Sequence, residues 1–199
     1  MASSKKPSKK TVKKSSSATK AKPSKKPAAK KAAPKRAAAG ASTGASMEGR
    51  KAPAFTLPDR EGAMASLSDL TGSGNLVLYF YPKDMTPGCT IEACSFRDNL
   101  GAIRALGAQV VGISGDSEAS HQKFTDKYEL NFPLLADKDN KVGKAYGVYK
   151  MKSLYGRQFM GIERTTFVID RDGIIRKVFP KVKVNGHTDE VVEALKSLG

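Results

Sequence analysis

Leu76 to Tyr81 is an unbroken apolar run, Leu-Val-Leu-Tyr-Phe-Tyr, and it is followed at once by a proline. A run of this kind, rich in aromatics and closed by a proline, is what a strand buried on both faces shows, at the centre of a sheet with layers on either side. Pro82 ends it, because proline has no N–H to donate to a ladder. A few residues on, Thr86-Pro87-Gly88 is turn chemistry, with Thr86 suited to cap a helix and Pro87 to its first position. Buried strand, tight turn and helix start therefore fall within sixteen residues. The rest of the chain has to be arranged around that unit.

Both cysteines of the protein lie at this junction. Cys89 falls in the first helical turn, among backbone N–H groups without intrahelical partners. The partial positive charge there favours an anion, and helix N-termini promote the reactive thiolate form of cysteine. The Thr86 hydroxyl, three residues earlier, can reach the sulfur or a bound oxygen atom. The local pattern suits an activated nucleophile; a small cysteine packed as a hydrophobe is the alternative. Cys94 is five residues along, which on a helix is ~140° round and ~7.5 Å up, so the two Cα atoms are ~8.6 Å apart. A disulfide needs them within about 7 Å. The pair cannot be a static staple in an intact helix, and if it bonds the helix must unwind locally. A zinc site is the other reading, but the spacing is not the usual Cys-x-x-Cys, and His121 and His187 are far off in sequence.

The run Pro82-x-x-x-Thr86-x-x-Cys89 resembles the active-site motif of the peroxiredoxins. The longer stretch from Tyr81 to Asp98 is similar to their Q type, also called bacterioferritin comigratory proteins. The resemblance covers about residues 47 to 199. It implies a thiol peroxidase for hydrogen peroxide and organic hydroperoxides. Cys89 would be the peroxidatic cysteine that becomes a sulfenic acid, and Cys94 the resolving cysteine that condenses with it to an intramolecular disulfide. Thioredoxin or a similar dithiol would recycle the pair. Pro82 and Thr86 would complete the motif. No metal or other cofactor is implied, and a monomer is expected. Arg164 opens the run Arg164-Thr165-Thr166-Phe167-Val168-Ile169, which resembles the family's arginine segment. From the residues alone, Arg164 reads as a surface arginine paired with Glu163; the resemblance moves it to the site, where its fixed fork of donors would favour the thiolate and orient the peroxide oxygens. His121, on a polar stretch, and His187, in a turn, read as solvated and not as bases. A protein dithiol oxidoreductase or redox sensor is the rival class; it would share the cysteines but normally uses Cys-x-x-Cys.

The remaining strong pattern is the first 46 residues. They carry thirteen lysines, one arginine and no acid, so +14 of the formal +16 sits there and +2 is left for residues 47–199. Apart from Val12 and the starting methionine, the other residues are Ala, Ser, Pro, Thr and Gly. Such a segment has no apolar surface to bury and is expected to be disordered. It lacks the apolar core of a secretory signal. Attraction to DNA or RNA without sequence preference is one reading, and a solubilising extension the other. No run reaches membrane-spanning length. The expected place is the cytoplasm, at the nucleoid if the tail binds there, or the nucleus in a eukaryote.

From Met47 onwards the order is strand, strand, helical turn, strand, helix, strand, helix, strand, short helix, hairpin, helix. Two short strands flank Asp59–Gly62. The helix after the central strand runs to about Leu106, with Phe96, Leu100, Ile103 and Leu106 on its buried side. Further strands are expected over 109–114 and 131–136, helices over 117–128 and 142–146, and a hairpin around Arg171-Asp172-Gly173. Thr188 is expected to cap the last helix. This alternation gives an α/β fold with a mixed sheet covered on both faces. Its thioredoxin-like form is what the resemblance adds; the disordered basic tail that precedes it is read from composition.

Overall fold

The computed structural model describes residues 47–154 and 156–198. The expected disordered tail lies outside the described residues. The central strand is β3 (Asn75–Phe80). On one side it pairs in parallel with β4 (Ala108–Ser114), which pairs in parallel with β5 (Leu134–Ala136). On the other side it pairs antiparallel with β8 (Thr165–Ile169), and β8 with β9 (Ile175–Pro180). The five-stranded order is β5-β4-β3-β8-β9. A small antiparallel pair, β1 (Thr56–Pro58) and β2 (Met64–Ser66), precedes it, and a second, β6 (Tyr149–Leu154) and β7 (Arg157–Ile162), stands apart from it.

The apolar run resolves into two faces because side chains alternate along a strand. Leu76, Leu78 and Phe80 pack with Val111, Ile113, Phe167 and Tyr146 on one side. Val77, Tyr79 and Tyr81 pack on the other against Phe96, Leu100 and Ile103 of α2 (Pro87–Ala105), Phe124 of α3 (Glu118–Tyr128), and Val191 and Leu195 of α5 (His187–Lys196). The first face is covered by α1 (Leu67–Gly72), with Leu67 and Leu70, and by Val142 of α4 (Lys141–Ala145). Full burial of each large apolar side chain stabilises by roughly 1.5–3 kcal/mol, so the fully buried Leu76–Phe80 run of β3 contributes heavily to the core. Its Tyr79 ring needs a glycine beside it: a Cβ on Gly112 would come within 2.7 Å of both Tyr79 and Leu134.

Local signals set most boundaries. Ser66 and Asp69 form a reciprocal capping box at α1, and Ser117 caps α3. Two expectations need correction, and one element was not expected. The β6–β7 hairpin was absent from the sequence reading, because Lys, Gly and Arg interrupt its alternation and its outer positions Met151, Phe159 and Met160 are exposed. The strand expected over 131–136 starts only at Leu134, after Pro133. Thr188 is not a cap: α5 begins at His187 behind Gly186, whose φ of 78° suits glycine, and the Thr188 hydroxyl instead bonds Ser95 of α2 at 2.7 Å.

Candidate active site

Tyr81 still belongs to the sheet, its N–H donating to the Ile113 carbonyl at 3.1 Å. Pro82 follows, exposed, and the chain turns through Lys83, Asp84 and Met85 into α2. Thr86 occupies the N-cap position with extended backbone (φ −80°, ψ 148°), and Pro87 is the first helical residue. The cap is made by backbone alone. The Thr86 hydroxyl does not bond the helix N–H groups, as expected of a capping side chain, but donates to the Lys83 carbonyl at 3.0 Å. Its lone pairs are left as acceptors beside the helix start.

Cys89 lies in the first turn of α2 and is buried. Arg164 sits between β7 and β8, and its Nη2 donates to Cys89 Sγ at 3.2 Å. Its Nη1 bonds Glu92 Oε2. Cys89 and Glu92 are three apart on the helix and so share a face, which lets one guanidinium reach both. Gly88 leaves room for it: a Cβ there would stand 3.3 Å from Arg164 Nη2. The pairing with Glu163 suggested by adjacency is not made, since Glu163 takes Lys150 Nζ at 2.6 Å. Burial works against the Arg164 cation, but the charges of Glu92 and Cys89 outweigh it and raise its pKa. A sulfur that accepts from a permanent cation is placed for anionic chemistry.

Glu92 escaped the sequence reading. Its signal was an acid at i+3 from the first-turn cysteine, on a helix face that has to be buried. It is 1% exposed, and its Oε1 has no partner among the described residues. Burial pushes its pKa up to about 7, against the opposing pull of Arg164. An acid raised in the folded state binds its proton more tightly there than in the unfolded chain. Its contribution is therefore complete below about pH 4.5 and is lost as pH rises through 7. Glu92→Gln is expected to flatten this slope: between pH 4.5 and 8 the parent should lose up to about 3 kcal/mol relative to the variant, at roughly 1.4 kcal/mol per pKa unit. Urea unfolding of both proteins across that range measures it, and parallel curves would contradict it.

Cys94 is half-buried, in the same continuous helix as Cys89, and both thiols are free. Next to it, Ser95 is bonded to Thr188 and Phe96 is fully buried.

The two histidines expected in solvent are buried. His121 faces the Asp84 carboxylate, with Nδ1 to Oδ2 at 2.9 Å, and His187 Nε2 bonds Thr166 Oγ1 at 2.8 Å with its ring edge-on to Phe96 and Phe179. Neither is placed with the cysteines. Their partners are 37 and 21 residues away, beyond the reach of local pattern. Lys152 is a further residue that was missed. It is half-buried, donates to the Ile162 carbonyl at 2.5 Å, and burial lowers its pKa.

Residues 49–178 match the AhpC/TSA family. A peroxiredoxin of the Bcp type from Coxiella burnetii is 56% identical over 147 residues, 74% of this chain and 97% of that protein. Peroxiredoxin Bcp of Bacillus subtilis is 47% identical over 150 residues, 75% of this chain and 95% of that one. Among solved structures, the Xanthomonas campestris bacterioferritin comigratory protein, studied for alkyl peroxide reduction, superposes with a TM-score of 0.68 at 40% identity, over 72% of this chain and 91% of that one. The sheet order and the helices on both faces are thus a thioredoxin-like fold in its peroxiredoxin form. With a thiol and a guanidinium meeting at the helix start of that fold, the chain belongs to the AhpC/TSA family and is a peroxiredoxin, a thiol peroxidase of the Bcp type.

Proposed function

We propose that this peroxiredoxin reduces hydrogen peroxide and organic hydroperoxides through Cys89 and Cys94 and is recycled by thioredoxin. The observation that carries the reading is the Arg164 Nη2 bond to Cys89 Sγ at 3.2 Å, at the start of α2. The Cys89 thiolate attacks the outer oxygen of the hydroperoxide. The O–O bond breaks, sulfur is oxidised to sulfenic acid, and the alkoxide or hydroxide leaves as alcohol or water after taking a proton. Arg164 stands where negative charge shifts from sulfur to the leaving oxygen, and the Thr86 hydroxyl oxygen can accept from the hydroperoxide O–H. The Cys94 thiol then condenses with the sulfenic acid, releasing water and forming the disulfide, and a dithiol returns both to thiols. The alkyl peroxide reduction for which the Xanthomonas relative was studied supports organic hydroperoxides as substrates. A monomer suffices for this cycle.

The charge of residues 1–46 supports a second role. Fourteen cations without an acid are expected to hold the enzyme on DNA or RNA. If six to ten phosphates are neutralised, affinity should fall by about 10³–10⁵ between 50 and 200 mM salt. In a cell the expected place is the cytoplasm, at the nucleoid in a bacterium, or the nucleus in a eukaryote.

One experiment addresses both roles. The full chain and a variant lacking residues 1–46 are given hydrogen peroxide or cumene hydroperoxide with thioredoxin and its reductase, and DNA retention is followed at 150 mM salt. Equal turnover with retention only by the full chain is expected. Failure to consume peroxide while reducing insulin would favour a dithiol oxidoreductase. Equal retention of the two would leave the tail as a solubilising extension.

A further inference from the structure

The loop Pro82–Thr86 has no secondary structure of its own, yet it sets where Thr86 and the first turn of α2 stand. It also holds an unfavourable backbone: Met85 has φ 57°, the left-handed region, without being glycine. Strain of this kind persists only where the surroundings over-determine the conformation. Here they do so through Asp84. Its N–H donates to Asp116 Oδ2 at 2.8 Å, an oxygen that also accepts from the Ser114 hydroxyl at 2.9 Å. Its carboxylate, buried, accepts from the Tyr81 hydroxyl at 2.7 Å. It also faces His121 Nδ1 at 2.9 Å, from α3.

Burial alone would raise the Asp84 pKa, but the bonds from His121 and Tyr81 hold it below the ordinary carboxylate value. An ionised carboxylate only accepts, so Nδ1 carries the proton. His121 is fully buried, and its Nε2 has no partner among the described residues. A buried pair with an orphaned nitrogen is a poor stabiliser compared with apolar side chains of the same volume. What it does supply is direction: it fixes one loop conformation against a helix of the neighbouring layer.

We propose that the Asp84–His121 pair is a positioning device for the thiol site, holding the Pro82–Thr86 loop so that Thr86 and the first turn of α2 present one geometry to the hydroperoxide. The proposal rests on Cys89 being the reacting thiol. His121→Leu keeps the volume and removes the donor; His121→Asn keeps an amide donor near the position of Nδ1. Stopped-flow oxidation of the full chain by hydrogen peroxide is expected to slow about tenfold in His121→Leu and to recover to within about threefold of the parent in His121→Asn, as for a misplacement well under an ångström. Amide exchange should quicken over residues 84–90 and stay unchanged in β3 and β4. Parent rates in His121→Leu, no recovery in His121→Asn, or a slowing matched by faster exchange in β3 and β4 would each overturn the proposal. If His121→Leu does not fold, Asp84→Asn takes its place, with slowed oxidation and loop-confined exchange expected and a parent rate overturning it. Absence of any peroxide reaction in the parent would refute the peroxidase reading instead, so the two failures are distinguishable.

Discussion

Cys89→Ser is expected to abolish peroxide consumption, whereas Cys94→Ser should consume one equivalent and stop at a sulfenic acid that dimedone traps. The asymmetry follows from the surroundings of the two thiols. Cys89 has the helix start and the Arg164 donor; Cys94 is half-buried at mid-helix with neither. In the proposed cycle sustained turnover needs both, since the disulfide is the species a dithiol reduces. It also needs α2 to open, because positions five apart on an intact helix stand ~8.6 Å apart at Cα. The oxidised parent should therefore exchange its amides faster from Gly88 to Cys94 than the reduced one. The change should stop near Ser95, where the Thr188 bond and buried Phe96 hold the helix to its neighbours. Normal turnover in Cys89→Ser would remove the assignment, and identical exchange in the two redox states would remove the unwinding.

The second large effect is expected at Arg164. Arg164→Met should lower the rate constant for Cys89 oxidation by about 10²–10³, the range found when one donor to a developing oxyanion is removed. It also leaves Glu92 buried without its cation, so its carboxyl should stay protonated to higher pH than in the parent. Arg164→Lys separates charge from geometry. An ammonium keeps the charge but cannot copy a planar fork that serves Sγ and Glu92 from two different nitrogens. It should fall between the parent and Arg164→Met. Pre-steady-state oxidation over a range of peroxide concentrations resolves the three. Equal rates in the parent and Arg164→Met would mean that the guanidinium is structural and that helix-start position alone activates the thiol.

The stretch of the candidate site is legible in the chain because its logic is local. The apolar run, the proline that stops it, the Thr-Pro start of a helix and a cysteine in its first turn lie within fourteen residues, and each acts through backbone geometry that neighbours in sequence set. The α/β class followed in the same way from alternating patterns, and the basic composition of residues 1–46 needed no fold to be read. Tertiary structure decided the partners. Arg164 adjoins Glu163 in sequence but turns to Glu92 and Cys89, 72 and 75 residues away, because β8 lies beside β3 and carries its N-terminal end to the start of α2. His121 lies on a stretch of polar residues and is nonetheless fully buried, because α3 packs that side against Tyr81 and Asp84. In each case a buried charge is stable only beside a partner of opposite character, and which partner is within reach depends on how distant elements pack.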